Sequence, residues 1–239
     1  MKTFLLFCII STVVLAQTPP QTREIVSRMA AMNEARAAAL HSYRSTRTYQ
    51  VSYKGFPKNL TAKVVVRLDF TAPDKKQFTT VSEEGSKLLV NRVVRKALES
   101  EQEAATAAAR ERSAVNEQNY EFKFVGTDSV EGRPCYTLDV TPRRADKFLY
   151  EGRICVDAVD FAVARIEAKP AKNPSFWISK ATINHLNRKI GDFWLPASNH
   201  STSHVRLGGD AELKIEYGDY EITDAAAVRG APAASTSAP

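Results

Sequence analysis

"KIGDFWLPASNHSTSH" (residues 189–204) could be either a histidine metal site or one strand of a sheet. Aromatic and aliphatic residues stand before Pro196, and only small, polar and histidine residues follow it. The HxxxH spacing of His200 and His204 would suit a metal site on a helix. On a β-strand the same spacing separates the two Cα atoms by ~13 Å, at ~3.3 Å per residue. Zinc ligands lie ~2.0–2.1 Å from one ion, so we expect a strand here and no metal site.

We interpret the stretch as a hairpin turn followed by a strand. "KIGD" supplies the turn, "FWL" anchors the start of the returning strand in an apolar layer, and "ASNHSTSH" continues it with more solvated residues. Pro196 has no backbone N–H, so it belongs at a bulge or at an edge-like position. The stretch therefore predicts an antiparallel sheet. Its functional surface is expected on the apolar face and not at the histidines.

Alternation of polar and apolar residues extends this sheet in both directions. Val64, Val66, Leu68 and Phe70 alternate with Lys63, Val65, Arg67 and Asp69, as on a half-buried strand with one apolar face. Short Gly, Pro or Asp turns separate most strands, which predicts antiparallel hairpins. The predicted strand segments are "YRSTRTYQVSYKG", "NLTAKVVVRLDFTAP", "DKKQFTTVSEEG", "NYEFKFVGTDSV", "RPCYTLDVTPR", "FLYEGRICVDAVD", "DFAVARIEAKP", "SFWISKATINHLNRK", "DFWLPASNHSTSHVRL" and "DAELKIEYGDYEI". A single antiparallel sheet of about ten strands twists and curls, or closes.

Two segments have helical spacing instead. "TREIVSRMAAMNEARAAALHSYRS" (residues 22–45) and "KLLVNRVVRKALESEQEAATAAARER" (residues 87–112) each carry an apolar stripe. Either helix can cover part of one sheet face. The sequence therefore predicts an α+β fold with one large antiparallel sheet and one helical excursion.

The two ends of the chain predict export and a short tail. Lys2 precedes an apolar run that ends in Val14-Leu15-Ala16, so residues 1–16 read as a signal peptide cleaved before Gln17. Its apolar part is too short to cross a bilayer core of ~30 Å. Residues 224–239 are rich in Ala, Pro, Ser and Thr and predict a disordered tail. One domain remains at residues 17–223, and we expect it in the periplasm.

The charge balance is weakly basic. With 33 Lys and Arg against 27 Asp and Glu, the formal net charge is +6. An ordinary solvated surface explains this net charge. The more specific alternative is a surface that is weakly attracted to anionic lipid headgroups. The chain contains no dense Lys/Arg block, so we expect no nucleic-acid partner.

Cys135 and Cys155 are the two cysteines that the mature chain keeps. A hairpin centred near Ala145 places them directly opposite each other on neighbouring strands, where Cβ atoms are ~4.5–5.5 Å apart. A disulfide needs ~3.5–4.5 Å, and therefore a non-hydrogen-bonded pair. We predict a disulfide, because an oxidising compartment favours one. The alternative is two free, partly buried thiols.

Motifs for enzymatic chemistry are missing from the sequence. It contains no GxSxG, HExxH, CxxC or Gly-rich phosphate loop, and its carboxylates are scattered over polar faces. We therefore do not expect an enzyme. Aromatic residues are instead abundant in the second half. Two helices cover only part of such a sheet, so the remaining apolar surface is either a collapsed core or a ligand cavity.

The order of segments resembles a known superfamily over residues 22–222. The phrases that carry the resemblance are "NYEFKFVG", "GRPCYTLDVTPRR", "YEGRICVDAVDFAVARIE", "PSFW" and "FWLPASNHSTSHVRLGGDAELKIEYGDYEI". In this order, behind a signal peptide, they resemble the periplasmic lipoprotein carriers, the LolA/LolB-like outer-membrane lipoprotein-sorting proteins. The resemblance implies a half-open β-barrel lidded by two or more helices, with a hydrophobic cavity for acyl chains and no cofactor.

The resemblance also implies a function and a set of site residues. We expect a monomeric periplasmic carrier for the acyl chains of a lipoprotein or another lipid, with possible transport partners in the inner or outer membrane. An envelope sensor or protein-interaction module of the same fold is the alternative. An arginine that holds the lid closed is expected among Arg44, Arg47, Arg67 and Arg92. Candidate cavity residues are Val64, Val66, Leu68, Phe70, Phe122, Phe124, Tyr136, Leu138, Ile154, Trp177 and Trp194.

Overall fold

Ten antiparallel strands form one sheet in the computed structural model, which describes residues 21–173, 178–206 and 208–228. The strand order is β3-β2-β1-β10-β9-β8-β7-β6-β5-β4, so β3 and β4 are the two edges and the sheet is not closed. The strands are β1 (Leu40–Gly55), β2 (Leu60–Thr71), β3 (Lys75–Gly85), β4 (Tyr120–Val130), β5 (Arg133–Pro142), β6 (Tyr150–Asp157), β7 (Val163–Pro170), β8 (Ile178–Ile190), β9 (Phe193–Val205) and β10 (Gly209–Ala225). The predicted sheet of about ten strands is confirmed.

The helices lie at the two predicted places but differ in extent. They are α1 (Thr22–Ala39), α2 (Lys87–Leu89), a π-helical turn (Val90–Val94), α3 (Arg95–Ala105) and α4 (Ala107–Ser113). The prediction of a first helix over residues 22–45 was too long. Pairing with β2 and β10 draws residues from Leu40 onward into β1. The second helical block breaks at Thr106, whose hydroxyl caps α4.

The first strand pairs with the last. β1 runs antiparallel to β10 along nearly its whole length, from Leu40 opposite Ala225 to Gly55 opposite Gly209. This pairing joins the sheet's two halves, which are otherwise hairpin-connected series. β10 extends to Ala225, and the backbone N–H of Ala226 donates to the carbonyl of Ala39. The predicted signal peptide and residues 229–239 of the predicted tail lie outside the described residues.

One face of the sheet carries a polar row from edge to edge. Opposite-charge neighbours recur along it, such as Arg153 Nε with Asp139 Oδ1 at 3.1 Å. Cross-strand pairs of this kind contribute a few tenths of a kcal/mol, up to ~1, and fix register. A single register row runs through Lys123, Asp139, Arg153, Glu167, Asn184, His200, Lys214, Gln50, Lys63 and Glu84. We call this the outer face.

The stretch at residues 189–204 forms the predicted hairpin. β8 and β9 turn at Gly191, whose φ of 59° lies in the left-handed region that glycine adopts without strain. The register shifts beside Pro196, because Leu186 pairs with Ser198 while Asn187 pairs with Pro196. The predicted bulge at the proline is therefore present.

Cys135 and Cys155 form the predicted disulfide, with a Cα–Cα distance of 5.6 Å. Their predicted direct opposition was wrong, because Cys155 pairs with Thr137 and Cys135 pairs with Asp157. The β5–β6 connection is built around Asp146, whose carboxylate accepts from the N–H of Phe148, and this sets the register. The disulfide therefore links diagonal neighbours. Both sulfur-bearing residues are buried on the outer side of the sheet.

Removing this disulfide tests its contribution to stability. We expect the Cys135→Ser/Cys155→Ser double variant to lose ~3 kcal/mol of unfolding free energy in urea, because the bridge restricts the unfolded chain. Wild-type protein under reductant should lose the same amount, and the double variant should not respond to reductant. A titratable thiol in the unfolded, unreduced mature protein would contradict the pairing.

Candidate functional site

The face opposite the polar one carries the helices, and we call it the inner face. Its apolar residues form two clusters, one under α1 and one under the helical excursion. One register row connects them through Phe124, Leu138, Ile154, Ile166, His185, Asn199, Ile215, Tyr49 and Val64. The row is apolar at both ends and polar at β8 and β9.

The first cluster packs α1 on β4, β5 and β6. Ile25, Val26 and Met29 are its buried helix residues. Five of the predicted cavity residues meet in this cluster. Leu138 and Ile154 are fully buried at its centre, and partly buried aromatic rings stand at its margin: Phe122, Phe124 and Tyr136.

The second cluster packs the π-helical turn and its neighbours on β1, β2 and β10. Val90 and Val94 are buried against Val64, Val66 and Tyr49. The remaining two predicted residues of β2 continue the same strand. Leu68 is fully buried, whereas the Phe70 ring is partly buried and lies 5.0 Å from that of Tyr43.

Of the two predicted tryptophans, the one that the structure describes lies elsewhere. Trp194 packs with the disulfide on the outer side, where its Nε1 donates to Asp160 Oδ2 at 3.1 Å. It does not join the inner-face clusters, because Phe193 and Leu195 take the opposite side of the same strand. Trp177 lies outside the described residues.

A buried charge lies beneath α3. Arg47 on β1 is 1% exposed and forms an ion pair with Glu101 on α3, and Lys76 Nζ donates to the other Glu101 oxygen at 2.9 Å. The Arg47 guanidinium also lies 4.9 Å from the Tyr217 ring centroid and 5.4 Å from that of Phe78. Its Nε has no hydrogen-bond partner among the described residues.

Of the four candidate arginines, Arg47 alone is buried on the inner face. Arg44, Arg67 and Arg92 are exposed. Sequence reasoning left the choice open, although a signal was present. In "RTYQV" (residues 47–51), Arg47 has the same alternation phase as Tyr49 and Val51, whose apolar side chains define the buried face.

Electrostatics around this pair favour both charged forms. Burial by itself would raise the pKa of the Glu101 carboxyl, but Lys76 and Arg47 together lower it below its ordinary value. Burial acts to lower the pKa of the Arg47 guanidinium, and Glu101 more than offsets this and raises it. Nearby, burial raises the pKa of Tyr49 to about 12. The Arg47–Glu101 ion pair, which we call the clasp, therefore holds α3 to the sheet. The apolar and aromatic inner-face surface beneath the helices is called the floor.

Between the two clusters the inner face is only partly covered. Ile183, His185, Asn199 and Ser201 on β8 and β9 are partly exposed, whereas inner residues under the helices are buried. A separate depression of about 500 Å³ opens beside the N-terminal end of α1, next to Val26, Tyr120 and Phe122. The inner face thus combines two helix-covered apolar areas with a polar strip.

The histidines form polar contacts of their own. His200 pairs with Glu212 at 2.7 Å and His204 with Asp210 at 2.8 Å, both across neighbouring strands. Within the described ranges, no group of three or more His, Cys, Asp or Glu residues could hold a metal ion. A search of the same ranges for a helix long and apolar enough to cross a membrane found none.

Comparison by sequence gave no relative. No family model matches the chain, and no curated protein matches it.

Comparison by structure returned solved folds at low identity. A DUF1329 family protein from Desulfovibrio piger is 12% identical, with 84% of this chain and 92% of that chain covered and a TM-score of 0.40. A putative outer membrane lipoprotein-sorting protein domain from Vibrio parahaemolyticus is 12% identical, with 83% and 93% covered and a TM-score of 0.41. A LolA superfamily protein from Nitrosomonas europaea is 11% identical, with 83% and 95% covered and a TM-score of 0.35.

A lipoprotein-sorting protein domain and a LolA superfamily protein are therefore among the structures to which this chain is similar. Identities of 11–12% and TM-scores of 0.35–0.41 assign no function to this chain.

Neutralising Glu101 tests the clasp. Glu101→Gln should lower the unfolding free energy by about 3 kcal/mol at neutral pH, because it leaves the Arg47 charge buried without its partner. The folded-state pKa of Glu101 is lowered, so this contribution is present above its ordinary pKa and is lost as pH falls through the lowered one. Urea denaturation of wild type and variant should therefore converge on acidification below about pH 4.5.

Glu99→Gln, on the exposed side of the same helix, is the matched control and should leave stability within about 0.5 kcal/mol of wild type at each pH. Equal stability of Glu101→Gln and wild type at neutral pH would show that the ion pair does not hold α3 to the sheet.

Proposed function

We propose that this protein is a periplasmic carrier that binds the acyl chains of a lipoprotein or another lipid in a hydrophobic half-barrel cavity. The cavity would form between the helices and the inner face. The observation that carries the proposal is that an open sheet has two apolar areas, each covered by helices and not by a second sheet. Helices can separate from such a surface without breaking strand pairing.

The predicted cavity residues fit this mechanism as a floor that ligand and helices would share. In the described conformation, Val64, Val66, Leu138 and Ile154 contact helix-covered clusters. An acyl chain that replaces the helix contacts gains ~0.8 kcal/mol for each buried CH₂ group. A partly covered chain is therefore held reversibly, as a carrier requires.

Arg47 and Glu101 would act as the clasp of the lid. Without ligand, their ion pair keeps α3 against the floor. Lys76 and the unpartnered Nε of Arg47 make this contact polar and incompletely satisfied. An acyl chain that enters beneath α3 would separate Glu101 from the buried Arg47 and admit water to the guanidinium, and its hydration would offset part of the cost of opening the lid.

The edges of the sheet favour a carrier over an interaction module that adds a strand from a partner. β3 bulges near Val81 and β4 near Val125, at the register shifts opposite β2 and β5. These valines are 63% and 40% exposed. Bulges interrupt the regular row of edge hydrogen bonds that an added strand needs.

Lipid extraction from the purified mature protein tests the proposal. We expect mass spectrometry of the organic extract to detect bound acyl species. Phe122→Asp, at the margin of the first cluster, should reduce them at least about tenfold, because a carboxylate on the apolar floor is costly to desolvate.

Lys123→Asp changes the next residue of the same strand on the outer face, so its lipid content should equal that of wild type. An extract without acyl species, together with no uptake of added fatty acid by the folded protein, would overturn the carrier and leave the interaction module.

A further inference from the structure

A continuous hydrogen-bond chain crosses the polar strip of the inner face. Ser201 Oγ donates to Asn199 Oδ1 at 2.8 Å, and Asn199 Nδ2 donates to His185 Nδ1 at 3.3 Å. His185 Nε2 donates to Asn187 Oδ1 at 3.0 Å, and Asn187 Nδ2 donates to the Val163 carbonyl at 2.8 Å. The hydrogen bonds lead from β9 through β8 to β7, and each group donates to the next one in this order, which fixes both amide orientations and the histidine tautomer.

The side chains in this row of hydrogen bonds are uncharged. Burial lowers the pKa of His185, against the opposing effects of its Asn187 bond and the Glu101 charge. Protonation would also place a proton on Nδ1, where Asn199 donates. His185 is therefore a neutral imidazole, and the strip offers amide and hydroxyl groups only.

Hydrogen-bonding capacity remains at the Ser201 end. Ser201 Oγ keeps its acceptor lone pairs, and Asn199 Nδ2 keeps one N–H beyond the hydrogen bond it makes to His185. Both side chains are partly exposed. The strip thus presents one acceptor and one donor next to each other on β9.

Apolar residues flank the strip on both sides. Ile166 on β7 belongs to the first cluster, and Ile215 on β10 belongs to the second. Strands lie ~4.8 Å apart, so these two residues are separated by about 14 Å across β8 and β9. An amphiphile centred on the strip could extend one chain toward each cluster.

We infer that this strip binds the uncharged polar group of a two-chain amphiphile, such as the hydroxyl and ester groups of a diacylglycerol moiety. The inference rests on the proposed carrier function and adds selectivity for the head group. The strip's own described side chains carry no positive charge, and Arg47, which is buried on the inner face, is already paired with Glu101. Desolvating an anion beside neutral partners is unfavourable.

Two lipids with the same chains test the inference. Dioctanoylglycerol and dioctanoyl phosphatidic acid compete against a fluorescent fatty acid bound to the mature protein. We expect the glycerol lipid to bind at least about tenfold more tightly. Asn199→Val should weaken it about fivefold, the loss expected for one hydrogen bond of about 1 kcal/mol, and leave phosphatidic acid unchanged.

Asn184→Val is the matched control, because Asn184 lies on β8 but faces the outer side opposite His200. Ser201→Ala is a milder second variant that removes one polar group and should weaken the glycerol lipid in the same direction. Equal affinity for the two lipids, or equal behaviour of Asn199→Val and Asn184→Val, overturns the head-group site while leaving the carrier intact. If neither lipid nor the fluorescent fatty acid binds the wild-type protein, the head-group site and the carrier function are both overturned.

Discussion

Ten antiparallel strands present more inner surface than short helices can cover, and the rest of this structure follows from that constraint. The sheet is joined at β1 and β10 and remains open at β3 and β4. When one face of a sheet is solvated, other elements must cover the apolar residues of the opposite face, and any part that they do not cover stays accessible. This chain does both, because helices bury the two flanks and β8 and β9 keep a polar, partly exposed strip.

The buried guanidinium of Arg47 explains why one flank differs from the other. Under α1, the buried contacts with the sheet are apolar, and the one buried charge of this helix, Arg36, donates to the Asp160 carbonyl in the β6–β7 loop and not to a sheet residue. Under α3, an ion pair and two aromatic rings surround a charge that is 1% exposed. Such a pair adds less net stability than a well-packed apolar contact. In the proposed carrier, access to the floor would therefore begin at the α3 flank.

Sequence reasoning succeeded where the signal was local. Alternation predicted each strand, and the bulge at Pro196 followed from its missing N–H. It failed where strand pairing between distant parts of the chain decided the structure. The first helix ends at Ala39 because β1 is captured between β2 and β10, and Trp194 faces the disulfide because the phase of β9 is set by its neighbours. The cysteines pair diagonally because the turn is centred on Asp146.

The sequence alone determined the α+β class, a sheet of about ten strands, the only cysteine pair available to a mature chain and most of the residues on alternating apolar faces, since each depends on period or covalent chemistry. Only the tertiary structure decided that Arg47 pairs with Glu101 and that His185 and Asn199 meet between two apolar clusters. Both depend on the register across strands far apart in the chain. A shift of one residue would turn every side chain of a strand to the other face.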